Sequence, residues 1–142
     1  MDKNRRPIAN RFRRRQTRRG ATVVEFAIVA PVFFLFLLAA FEFGWFNVMR
    51  HTADNAAYEA ARHAMVPGAT AAEARDKANS ILNIVGTRGA NVRVTPAIVT
   101  PDTEEITVTI DVPVNRNALI LPRFFRNQTI RAASTLRTER AE

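Results

Sequence analysis

The hydrophobic pattern of the chain changes character along its length, and each change marks an element. Residues 26–41, "FAIVAPVFFLFLLAAF", contain no charged side chain. Five phenylalanines in that run leave no polar face to meet water, which argues against a soluble core helix. As a helix the run rises about 24 Å, short of a hydrocarbon core of about 30 Å. Adding residues 21–24 and 43–49 supplies ample length, with Glu25 and Glu42 near the two edges. Trp45, with Phe43 and Phe46, then falls at the outer interface, where tryptophan is favoured. Pro31 removes one N–H and leaves the Ala27 carbonyl without its partner, so a kink is expected. Membrane helices tolerate this better than soluble ones.

Beyond the run the period stays helical but the composition changes. Ala53, Ala56, Ala57, Ala60, Ala61 and Ala64 form a small-residue face, with Arg50, Asp54, Glu59 and Arg62 on the other side. Such a face packs on the chain's own domain or against another helix. Glu59 and Arg62 are spaced to pair. Pro67-Gly68 stops the helix. "TAAEARDKANSIL" restarts one, with Thr70 and Glu73 as a capping box and Ala74, Ala78, Ile81, Leu82 and Val85 as its apolar stripe. Gly86 or Gly89 closes it.

The period then falls to two. Val92 and Val94 share one face, as do Ile106, Val108, Ile110 and Val112, and then Ile130, Ala132, Ser134 and Leu136. Strict alternation means one buried and one wet face, so a small antiparallel sheet packed on helix is expected. "TPDTEE" reads as the turn between the first two strands, and "NRNALILPRFF" as a longer, partly helical connection. The phenylalanines of "PRFFRN" are expected to close one end of the core or to touch a partner or lipid. The fold class is α+β: a long N-terminal helix, its first half transmembrane, a second helix and about three antiparallel strands. The domains read as a leader over 1–20, a membrane helix over 21–49 and an α/β domain over 50–142.

Charge sharpens this picture. The net charge of +8 first suggests a nucleic-acid partner. Yet residues 1–20 hold nine Lys or Arg and one acid, a balance of +8, and the remaining residues hold twelve of each sign. The excess is a basic leader on a neutral chain, and no nucleic-acid partner is expected. Arg13, Arg14, Arg15, Arg18 and Arg19 predict that this end stays in the cytoplasm, with the rest of the chain outside it.

Little else carries chemistry. With no cysteine, disulfides and thiolate sites are excluded. No phosphate loop, nucleophile motif or metal-ligand spacing is present, so no enzyme, metal or cofactor is expected. His51 and His63 lie about 18 Å apart on one helix and cannot share a ligand. Asp102, Glu104 and Glu105 read as solvated turn acids.

The junction "RRGATVVEF" is more specific. "AAFEFGW", after the apolar run, makes a poor signal-peptidase cut site. If the chain were cut after Gly20 instead, Ala21 would become the N-terminus and Glu25 its fifth residue, one helical turn along. The new ammonium could pair with Glu25 of its own or a neighbouring chain, which in lipid is far better than a lone carboxylate.

Basic leader, glycine, four small or apolar residues, glutamate, aromatic and apolar helix together resemble the processing pattern of type IV pilin-like proteins. The chain looks most like the TadE-like family of tight-adherence (Flp-type) pilus assembly. "FEFGWF" resembles the Glu-Phe-Gly step common there, and "NAAYEAARHAMV" the stretch that follows it, so the resemblance covers about residues 17–66. Phe26 stands where major Flp-type pilins usually carry tyrosine, which points away from the major subunit. The length leaves no room for the von Willebrand-type domain of larger relatives. The resemblance implies a pilin-like, non-enzymatic minor pseudopilin or assembly factor in the bacterial inner membrane, its outer domain periplasmic or extracellular. It implies cleavage after Gly20 by a prepilin peptidase, and other pseudopilins, the pilus-assembly machinery and membrane lipid as partners. The alternative is an unprocessed signal anchor with an adaptor-like outer domain. A further alternative is anionic lipid or nucleic-acid binding by a retained leader.

Overall fold

The computed structural model describes residues 13–100, 103–120 and 127–137, with side chains from Gly20 onward. It comprises two units, Met1–Ala40 and Phe41–Glu142. The described part of the first unit is helical and belongs to α1 (Arg13–Ala64), which continues into the second. From Gly20 to Ala40 every side chain is exposed apart from half-buried Ala30. Pro31 lies inside α1 without ending it. Among the described residues this is the one helix long and apolar enough to cross a membrane.

The second unit is α+β. After the end of α1 come α2 (Ala71–Ile84), β1 (Asn91–Thr95), β2 (Glu105–Pro113), a 3-10 turn (Val114–Arg116) and β3 (Thr129–Arg137). The strands form an antiparallel sheet in the order β1-β2-β3. Asn91 pairs with Asp111 at one end of the first ladder, and Glu105 with Arg137 at one end of the second. β2 is central, and Ile106, Val108, Ile110 and Val112 are all buried on one face. Full burial of a valine or isoleucine contributes about 1.5–3 kcal/mol, so this strand anchors the sheet.

Small and large side chains divide the core between them. The helices contribute Ala53, Ala56, Ala57, Ala60, Ala61 and Ala64 from α1 and Ala71, Ala74, Ala78 and Leu82 from α2. The sheet contributes the β2 residues with Val94 and Ala132. The alanine face of α1 thus packs within its own domain, and no ion pair joins Glu59 to Arg62.

Both ends of α2 are built as expected. The Glu73 N–H donates to Thr70 Oγ1 at 3.2 Å, and the Thr70 N–H donates to Glu73 Oε2 at 2.9 Å. These Thr70 bonds, the backbone one first, hold the Glu73 carboxyl below the ordinary carboxylate range. At the other end Gly86, at φ 67°, takes the left-handed conformation. The Gly86 N–H reaches the Asn83 carbonyl at 3.0 Å and the Thr87 N–H reaches Leu82 at 3.2 Å, which completes a Schellman motif. Gly86, not Gly89, closes the helix.

β1 stops at Thr95, before Pro96. In the turn that follows, the Thr103 N–H donates to the Thr100 carbonyl at 3.0 Å. Pro101 and Asp102 of that turn, and Pro122 to Arg126 of the "PRFFRN" stretch, lie outside the described residues. On the outer sheet face Asp111 accepts from Arg93 and, at 2.6 Å, from Arg131, whose pKa it raises by hydrogen bond and charge. Glu105 is the first residue of β2 and pairs with Arg137 at 2.9 Å. Exposed pairs of this kind contribute little to stability.

Candidate processing and assembly site

Gly20 and Ala21 are neighbours on α1 and Glu25 lies one turn further on, and all three are exposed. The helix passes through the Gly20–Ala21 peptide without a break, since it begins at Arg13. Arg13, Arg14, Arg15, Arg18 and Arg19 occupy the turns just before it. A side chain at position 20 would meet nothing within 4 Å, so packing does not require glycine there. In a helix interior glycine is about 1 kcal/mol less favourable than alanine. Position 20 is therefore a locally weak point of the helix. Glu25 stands one turn after Ala21 and has no partner among the described side chains.

The other edge of the apolar run is constructed quite differently. Glu42 is 3% exposed. Its Oε1 accepts the Leu119 N–H at 3.1 Å and its Oε2 accepts the Ile120 N–H at 2.9 Å. A carboxylate leaves water at high cost unless its oxygens are hydrogen-bonded, and here both are. One turn along, the Trp45 indole N–H donates to the Asn117 carbonyl at 2.9 Å. Asn117 is itself buried and fully used. Its Oδ1 accepts the Arg88 N–H at 2.7 Å, and its Nδ2 donates to the carbonyls of Arg88 at 2.9 Å and Pro113 at 2.8 Å. Glu42, Trp45 and Asn117 thus bind the base of α1 in this unit to the segment after β2 and to the turn after α2.

Sequence reasoning placed Glu42 only as an edge marker and did not single out Asn117. The available signal for Glu42 was a second acid bordering an apolar run. Asn117 offered none, because an asparagine in a loop is ordinary.

Two other features carry less. An apolar cavity of about 320 Å³ lies at the far end of the sheet, between Ala64–Thr70 and Val99, Thr100, Thr103 and Ile106. Among the described residues no titratable side chain lines it. His51 is exposed and His63 half-buried on α1. Among the described residues no three His, Asp or Glu side chains gather as metal ligands.

Neither a curated protein nor a solved structure matches the chain. One family does match, and its span begins at Gly20 and takes in Ala21, Glu25 and Glu42. Residues 20–62 of the chain are similar to the family described as TadE-like protein, the one that its junction and helix motifs resemble.

Proposed function

We propose that the protein is a non-enzymatic minor pseudopilin or assembly factor of a tight-adherence pilus, cut after Gly20 by a prepilin peptidase. The observation that carries this reading is Glu25: a carboxylate exposed on an apolar helix, without a partner among the described side chains, four residues beyond Ala21. In lipid such a group needs a counter-charge. Cleavage after Gly20 creates one at Ala21, close to Glu25 on the same helix or on a neighbour. Two features of Gly20 suit a protease. It weakens the helix where the backbone must be extended for cutting, and it offers no side chain to obstruct entry. The arginines of the leader hold the scissile bond at the cytoplasmic face. The chain is then a single-pass membrane protein with its α/β unit outside the cytoplasm.

Mass spectrometry of the protein from its native membrane tests the reading. The expected N-terminus is Ala21, and Gly20→Val should leave the leader attached. Intact Met1 in fully assembled material would overturn it and leave an unprocessed signal anchor.

A further inference from the structure

The segment that Glu42 holds has a property that the pilus reading does not use. Leu119 is 61% exposed and Ile120 36%, although both backbones are pinned. Glu42 directly follows Phe41, the last residue of the uncharged run. Whatever Glu42 binds therefore lies where the hydrocarbon ends. Phe43, on the next position of α1, is exposed as well.

Two cations stand on the same rim. Asn117 fixes the Arg88 backbone on both its N–H and its carbonyl side. Arg116 lies over Gly89, where an added Cβ would come within 2.8 Å of Arg116 Nη1. Both arginines are exposed, and neither joins an ion pair among the described residues. Guanidinium groups suit phosphate oxygens, and amphipathic loops of this kind seat their apolar tips among acyl chains.

We propose that this rim, with Leu119 and Ile120 as apolar tips and Arg88 and Arg116 as phosphate-facing cations, rests on the outer surface of an anionic phospholipid bilayer. The occupant is the same membrane that the helix spans, because Glu42 joins the loop to the end of the span. The inference rests on the membrane-span reading and not on pilus assembly or cleavage. Its consequence is that the α/β unit meets the bilayer through a loop of its own.

The full chain has no cysteine, so single labels are unambiguous. Leu119→Cys, Phe36→Cys and Ile98→Cys carry a nitroxide in nanodiscs of phosphatidylcholine, with and without phosphatidylglycerol. Leu119→Cys keeps the backbone N–H that Glu42 accepts. Ile98, exposed beyond the far end of β1, is the water reference. The expected result is a severalfold lower accessibility of the Leu119 label to a water-soluble nickel chelate than of the Ile98 label. Phosphatidylglycerol should deepen that protection, and Arg88→Gln with Arg116→Gln should remove the deepening. A Leu119 label as open to nickel as Ile98, with Phe36 still in lipid, would overturn the proposal and leave the span intact. Dipolar broadening between Leu119 labels that tracks two chains per disc would assign the rim to a second copy and also overturn it. A water-exposed Phe36 label would overturn the span and the proposal together.

Discussion

Between Gly20 and Ala40, α1 exposes Phe26, Phe33, Phe34 and Phe36; between Met49 and Ala64 it buries Met49 and six alanines. The same helix thus presents large apolar side chains outward in one stretch and hides small ones in the next. In lipid, bulk on every side is favourable, because nothing must be kept wet. Against a sheet, a helix needs a narrow face without long side chains, so that the β-branched residues opposite can fill the space. The two glutamates follow the same division. Glu42 is satisfied inside its own unit, and Glu25 has no partner among the described side chains. One acid holds a fold together, and the other is exposed on the apolar stretch of the helix.

Substitutions can break this comparison, and core truncation should do so most strongly. Ile110→Ala removes a fully buried side chain and should destabilise the outer unit by about 2–5 kcal/mol. Phe36→Ala, on a side chain 72% exposed, should leave that unit's unfolding unchanged. Urea unfolding of the full chain in detergent, followed by Trp45 emission, measures both; Trp45 is the sole tryptophan and bonds to Asn117. Equal losses from the two variants would erase the distinction between the halves of α1.

The glutamates should separate next. Glutamine at position 42 can accept one N–H but turns a donor toward the other. Leaving that buried donor unsatisfied costs about 1–3 kcal/mol. Glu42→Gln should therefore lower the unfolding midpoint and speed hydrogen exchange at Leu119 and Ile120. Glu25→Gln should leave both unchanged while reducing incorporation into assembled material, read by co-purification with the pilus machinery.

Smaller effects sit at the start of α2. Thr70→Ala removes one arm of the capping box and should cost about 1 kcal/mol in the same unfolding assay. That difference should depend on pH. Folding lowers the Glu73 pKa through its bonds to Thr70, so the unfolded chain binds the proton more readily. The contribution of the box is complete above the ordinary carboxylate range and fades as pH falls through the lower folded value. The gap between Thr70→Ala and the parent should narrow in that acidic window. A gap constant throughout it would mean that Glu73 does not take part in the cap.

The elements of the fold were legible where the signal was local. The capping box over Thr70 and Glu73, the alanine face of α1 and the alternation of β2 each involve residues within a turn or a few positions. The structure places each of them as read. The spacing of Ala21 and Glu25 was local in the same way, and α1 puts the two on adjacent turns. Two readings were left open by the sequence. The alanine face fitted both self-packing and helix assembly, and only the position of the sheet decides for packing. Gly86 and Gly89 were equal candidates to close α2, and the backbone bonds of Gly86 and Thr87 decide between them.

By itself the sequence determines the apolar run, its basic flank, the spacing of Gly20, Ala21 and Glu25, and the order of helix and strand. Each depends on composition or on a period of 2 or 3.6 residues. Only the tertiary structure decides what becomes of Glu42. Its partners lie 77 and 78 positions away, and the Trp45 bond spans 72. No local period encodes such a distance. A buried carboxylate and an exposed one look alike in sequence, and the difference arises only when a loop brings two backbone N–H groups to one of them.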